Sequence, residues 1–276
     1  MKLSIITINY NNKVGLQKTI DSVVCQTWRD FEWIIIDGGS TDGSKELIEQ
    51  YQQHFAYWCS EPDKGVYNAM NKGIDRAKGE YLLFLNSGDV IFEASTLEKV
   101  FQKELIAKGD IVYGDCMTVE NGTESLWTFP HRVDLEYFCY GNICHQGMFI
   151  KAYLLKNEGY DESYSLYADW ARWIQLFIAG ASFLYIPVVI CGYEMGGMSS
   201  CNPEIGLKEY KKIVQLLPPD ILQQILRKND ERRMRLSDFE SSPEVLRTLA
   251  LVKEHSLYRR LIKANLKFIL FIKKFV

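Results

Sequence analysis

The chain has 276 residues, 47% of them hydrophobic and 24% charged. That is enough to bury one large core and leave room for a smaller C-terminal appendage. A formal net charge of −3 and a pI of about 5.9 supply no global basic field, which argues against a nucleic-acid partner.

Seven cysteines, at 25, 59, 116, 139, 144, 191 and 201, are dispersed without a CxxC pair or zinc-like spacing. They read as buried thiols of a reducing compartment rather than as a disulfide framework. No basic segment followed by an apolar one opens the chain, and no uncharged apolar run reaches the roughly 20 residues of a membrane span. A cytoplasmic location is therefore expected.

In chain order, Leu3–Ile8 is a short apolar run ending in the polar turn Asn9-Tyr10-Asn11-Asn12. Gly15–Gln26 follows as a helix, with Leu16, Ile20 and Val23 at helical spacing. Phe31–Ile36 is a β-branched run closed by Asp37-Gly38-Gly39-Ser40-Thr41-Asp42-Gly43, and Ser44–Gln53 reads as a capped helix. Ala56–Cys59 is a third strand and Val66–Lys78 a helix ended by Gly79; Tyr81–Leu85 is a fourth strand closed by Asn86-Ser87-Gly88-Asp89.

This alternation predicts a mostly parallel sheet with helices on both faces. Ligands of such sheets gather at the carboxyl ends of the strands, so the polar clusters at Thr7–Asn9, Asp37–Asp42 and Asn86–Asp89 should converge on one edge. The second half is less regular. Ile111–Tyr113 and Met148–Ile150 read as strands, Asp169–Ala179 as an amphipathic helix, and Phe183–Cys191 as a strand interrupted at Pro187. From Pro203 onward the chain is helical and charged.

Four positions have the side chains for chemistry, each with a plain structural alternative. Asp37, followed by two glycines, can accept from a uracil ring or a ribose hydroxyl, or can simply cap the next helix. Asp89 can give a carboxylate to a hard divalent cation, or belong to an ordinary turn. Asp169, at a helix start, can act as a general base or as a cap favoured by the helix dipole. His145, in Cys144-His145-Gln146-Gly147, is either functional or a hydrogen-bonded structural group.

Taken together, these clusters resemble glycosyltransferase family 2, the inverting enzymes of the GT-A fold. The motifs that carry the likeness are Ser4–Asn11, Ile34–Gly43, Glu61–Ile74, Ala77–Glu80, the Asn86–Asp89 turn at the DXD position, His145-Gln146, Ala168–Trp170 and Gly196–Ser199. The resemblance covers roughly 1–200 and implies a GT-A, Rossmann-like, mostly parallel central sheet with flanking helices. Its nucleotide-binding half would span about 1–90 and its acceptor half about 91–200, with a helical C-terminal extension over 201–276.

The resemblance also implies a nucleotide-sugar donor, with UDP expected, and a glycan or polyprenyl-linked acceptor in surface polysaccharide biosynthesis. It assigns Thr7, Asn9, Asp37, Asp63 and Lys64 to the nucleotide, Asp89 to a weakly held Mg2+ or Mn2+, and Asp169 to the general base. Asn86, His145, Gln146, Gly197 and Ser199 are acceptor or loop candidates, the loop at 196–200 closing over the diphosphate. Two departures stand out: Gly38 replaces a second aspartate common in the family, and Asn86 and Gly88 leave Asp89 as the metal motif's one carboxylate. Metal independence is the alternative.

The segment Ser256–Val276 interleaves cations with Leu257, Leu261, Ile262, Leu266 and Phe268–Ile272. It suits either a membrane interface or packing against protein. One rival reading remains, a non-catalytic nucleotide-sugar-binding scaffold with a decayed metal site. A dinucleotide oxidoreductase is discarded, since it needs a glycine-rich first turn and residues 7–12 contain no glycine.

Overall fold

The computed structural model describes residues 1–228 except 103, 121, 195–201 and 226. Its elements run β1 (Leu3–Asn9), α1 (Lys13–Val24), β2 (Phe31–Asp37), α2 (Ser44–Gln50), β3 (Tyr57–Ser60), α3 (Val66–Arg76), β4 (Tyr81–Phe84) and β5 (Val90–Ile91). They continue α4 (Thr96–Phe101), β6 (Ile111–Glu120), β7 (Thr123–Trp127), α5 (Leu135–Tyr140), β8 (Met148–Lys151), α6 (Tyr153–Lys156), α7 (Ala168–Ile178), β9 (Phe183–Glu194) and α8 (Pro203–Val214).

All seven residues of β1 are buried, as are six of the seven in β2. Near-continuous apolar runs of this kind belong to strands covered on both faces. Nine strands form one sheet in the order β3-β2-β1-β4-β8-β6-β9-β5, with β7 added beside β6. β1 is parallel to β2 and β4, and β2 to β3. β8 runs antiparallel between β4 and β6, and β9 is again parallel to β6. Helix α3 presents Ala69, Met70, Gly73 and Ile74 to the core, and α1 presents Leu16, Ile20 and Val23.

The expected first half is present. The second half holds more than its pattern announces. β5 and β7 and the short helices α4, α5 and α6 were not anticipated, because two- to six-residue elements carry too few periods to register. β9 runs through Pro187 without a break; its register against β6 shifts between Tyr113 and Cys116, an irregularity where a residue lacking an N–H is tolerated. α2 ends at Gln50, and a separate tight turn covers Gln52–His54.

The chain divides into two compact units, Met1–Pro218 and Pro219–Val276, so α8 falls within the first. There Glu209 of α8, 7% exposed, accepts from the backbone N–H groups of Ser165, Leu166 and Tyr167 at 2.6, 3.0 and 3.0 Å. No described helix is long and apolar enough to cross a membrane. The segments 196–200 and 256–276, read above as loop and as membrane or packing helix, lie outside the described residues and include Gly197 and Ser199.

Candidate active site

Strand pairing decides which side chains meet. In-register pairing sets Asn9 beside Asp37 and Asp37 beside Ser60, at the carboxyl ends of three adjacent strands. The Asp37 carboxylate is fully buried and accepts four hydrogen bonds. Asn9 Nδ2 and Ser40 Oγ reach Oδ1 at 2.7 and 2.6 Å, and Ser40 N and Ser60 Oγ reach Oδ2 at 3.0 and 2.6 Å. Burial pushes this carboxyl up, but the bonds from Ser40, Ser60 and Asn9 outweigh it and hold it below its ordinary value. Asp37 therefore braces the turn that follows β2.

Thr7 is likewise spent inside the fold: it is fully buried and its Oγ1 accepts from Trp33 Nε1 at 3.0 Å. Asn9 Oδ1 is buried with no hydrogen-bond partner. Asp63 comes back over Gly38, where an added Cβ would lie 2.6 Å from Asp63 Oδ2 and 3.1 Å from Tyr10 Cδ2. The glycine that replaces the family's second aspartate thus gives its space to the carboxylate of Asp63, a partly exposed group whose Oδ1 accepts from Gly65 N at 2.8 Å. Lys64 beside it is exposed.

The turn after β4 is held to β1 through Ser87 N, which donates to Ile8 O at 3.0 Å, and through Asn12 Nδ2, which donates to Ser87 O at 2.9 Å. Asp89, 9% exposed, accepts from Asn86 N at 3.1 Å through Oδ2 and from the Gln146 side chain. Burial raises its carboxyl to about 6, against the lowering effects of His145, Gln146 and the Asn86 N–H. Asn86 Oδ1 in the same turn is buried without a partner. A buried carboxylate and an orphan amide oxygen, both hard donors, fit a Mg2+ or Mn2+ ion.

Asp169 is 5% exposed and lies in the first turn of α7. The residue at the N-cap position is Tyr167, which makes no side-chain cap bond. Asp169 Oδ1 accepts from Trp170 N at 2.8 Å and Tyr67 Oη at 3.2 Å, and its Oδ2 faces His145 Nδ1 at 3.1 Å. The other ring nitrogen, Nε2, lies 3.1 Å from Asn86 Nδ2. With that amide donating, neutral His145 carries its hydrogen on Nδ1 and donates it to Asp169. Burial works against charge on His145, but the hydrogen bond and charge of Asp169, with the charge of Asp89, bring its pKa above the ordinary value.

A continuous polar chain therefore joins Asp89, Asn86, His145 and Asp169 across the turn after β4, the turn before β8, and α7. Asp37 and Asn9 stand on the neighbouring strand ends. Two surface hollows, of about 440 Å³ on α8 and about 280 Å³ beside Trp28, lie away from these residues. Tyr67, Ser60 and Asn142 went unrecognised in the sequence. Tyr67 lies within the Glu61–Ile74 motif, which was the available signal; Ser60 and Asn142 (3.5 Å from Asp169 Oδ2) had none.

A central, mostly parallel sheet with flanking helices is the architecture of GT-A glycosyltransferases. The profile of glycosyl transferase family 2 matches residues 4–163, and the chain belongs to that family. A PGL/p-HBAD biosynthesis glycosyltransferase of Mycobacterium bovis (strain BCG / Pasteur 1173P2) is 35% identical over 206 residues, 71% of this chain and 78% of the relative.

Among solved structures, the S. aureus TarS 1–349 fragment in complex with UDP-GlcNAc superposes with a TM-score of 0.66 at 19% identity, over 82% of this chain and 70% of the fragment. Against the longer TarS chain the match spans 42% of that protein's length. The mannosyltransferase PcManGT of Pyrobaculum calidifontis, in complex with GDP-Man and Mn2+, gives 0.62 at 17% identity over 99% of this chain and 86% of its own. At these identities the structural matches speak for the fold.

Proposed function

We propose that this glycosyltransferase inverts the anomeric centre of a nucleotide-sugar donor, UDP-linked, and transfers the sugar to a glycan or polyprenyl-linked acceptor at the cytoplasmic face of a membrane. The observation that carries this reading is the chain Asp89–Asn86–His145–Asp169, which couples a diphosphate-side carboxylate to a base-side carboxylate. Asn9, Asp63 and Lys64 line the nucleoside, with Thr7 and Asp37 bracing the strand ends from beneath. Asp89 and Asn86 Oδ1 would hold Mg2+ or Mn2+, which when bound stabilises charge on the departing diphosphate.

Asp169 takes the proton of the acceptor hydroxyl as that oxygen attacks the anomeric carbon from the face opposite the leaving group. His145 and Tyr67 hold the carboxylate in place through bonds to its two oxygens. One displacement inverts the centre. The mycobacterial relative is named for PGL/p-HBAD biosynthesis, which supports a glycolipid-like acceptor.

The test is nucleoside diphosphate release from a panel of nucleotide sugars, with and without Mg2+ or Mn2+. Asp169→Asn should cut turnover by about 10²–10⁴-fold while leaving donor affinity nearly intact. Near-parental turnover in that variant removes Asp169 from the role. Absence of release with every donor and acceptor favours the scaffold reading, for which the single carboxylate of the Asn86–Asp89 turn is the supporting feature.

A further inference from the structure

Three of the seven cysteines, far apart in the chain, converge. Cys116 Sγ lies 3.1 Å from Cys144 Sγ and 3.3 Å from Cys191 Sγ, and all three sulfurs fall within 4.8 Å of one another. Cys116 on β6 and Cys191 on β9 are direct register partners, both fully buried. Cys144 reaches them from the loop before β8 and is partly exposed. Packing alone needs no such arrangement, since a buried thiol is satisfied among carbon neighbours as a small hydrophobe.

A second observation concerns the space beside the sulfurs. A Cβ added at Gly147 would come 2.8 Å from Cys116 Sγ and 3.6 Å from Cys144 Sγ. The chain therefore turns past the cluster at a position without a side chain. Metal–thiolate bonds of about 2.3 Å require sulfurs roughly 3.8 Å apart in tetrahedral geometry, so Cys116 need draw back from Cys144 and Cys191, now at 3.1 and 3.3 Å, by well under about 1 Å. The partly exposed Cys144 side is where that movement and ion entry meet least resistance.

We propose that Cys116, Cys144 and Cys191 form a binding site for one thiophilic metal ion of the Zn2+ class. Three sulfur donors select soft and borderline ions over Mg2+, so this site is chemically separate from the oxygen-lined position at Asp89. Binding replaces the thiol hydrogens by metal bonds and releases up to three protons to solvent. Among the described residues no fourth His, Cys, Asp or Glu joins the group; a water completes the coordination. Because Cys144 directly precedes His145, the ion ties the turn that carries His145 to β6 and β9. The site does not depend on the transferase chemistry proposed above.

The experiment uses the full chain carrying Cys25→Ser and Cys59→Ser, which removes an exposed and a half-buried thiol. The protein is reduced with a phosphine and kept in excess Mg2+. Cd2+ serves as the probe, read by its sulfur-to-metal charge-transfer band and by the 113Cd resonance, whose position counts sulfur ligands. One Cd2+ per chain with a three-sulfur resonance, displaced by Zn2+, is expected. The band should be lost in Cys116→Ser and in Cys144→Ser, the latter a loop position whose apo melting temperature should match the parent if the fold is kept. Two results overturn the proposal: a band unchanged in Cys116→Ser/Cys191→Ser, or no uptake by the reduced parent, including the case where its mass shows only a disulfide.

Discussion

Asp169 has neighbours on both of its oxygens, His145 at 3.1 Å and Tyr67 at 3.2 Å, so its position is set by side chains from two distant segments. Tyr67 Oη also donates to Leu166 O at 2.7 Å, which fixes the loop leading into α7. Removing the hydroxyl in Tyr67→Phe leaves the ring packing intact and deletes both bonds. A loss of about 1 kcal/mol for the bond to Asp169 translates into roughly a five-fold fall in kcat with donor Kd unchanged, measurable by steady-state kinetics and equilibrium binding. His145→Gln preserves a donor but not the ring's two-sided reach; kcat should fall further than in Tyr67→Phe.

At the scale of elements, buried or half-buried carboxylates serve as staples between segments that the chain keeps apart. Glu209 of α8 holds the segment leading into α7 through the backbone N–H groups of Ser165, Leu166 and Tyr167. Glu209→Gln keeps the shape but weakens charge-assisted bonds, and should cost about 1–3 kcal/mol in denaturant unfolding.

Asp110 ties β6 to the segments around β8 and β9: it accepts from Ser182 N and Oγ at 3.0 and 2.7 Å and from Lys151 Nζ at 3.2 Å. The Ser182 backbone and side-chain bonds, then Lys151 and Tyr153, hold its carboxyl well below the ordinary 3.8. A depressed carboxyl lends stability that is whole above 3.8 and fades as pH falls through the lowered value. Asp110→Asn should therefore melt below the parent at neutral pH, and the gap should narrow as pH is taken beneath 3.8.

For the whole molecule, Met1–Pro218 holds every described strand together with α1–α8. A chain ending at Pro218 should keep a cooperative thermal transition by circular dichroism, since the sheet and its covering helices are all retained. If residues 256–276 serve the membrane interface that their sequence suits, rather than packing against protein, the same truncation should abolish co-sedimentation with anionic vesicles. Continued sedimentation would assign membrane contact to the first unit.

The sequence by itself determined the class. Buried apolar runs alternating with helical periods at residues 3–85, each run closed by a polar turn, specify parallel strands whose carboxyl ends share an edge. Asp37, Asp89 and Asp169 were all visible there because strand ends and helix starts are local features. What each acid does was decided only in three dimensions. Asp37 turned inward once register set Asn9 and Ser60 beside it, and Asp63 moved into the room left by Gly38. His145 became the link between Asn86 and Asp169, and three unspaced cysteines became one cluster. Such outcomes depend on strand register and on contacts between residues dozens of positions apart, and neither composition nor periodicity encodes a distance across a fold.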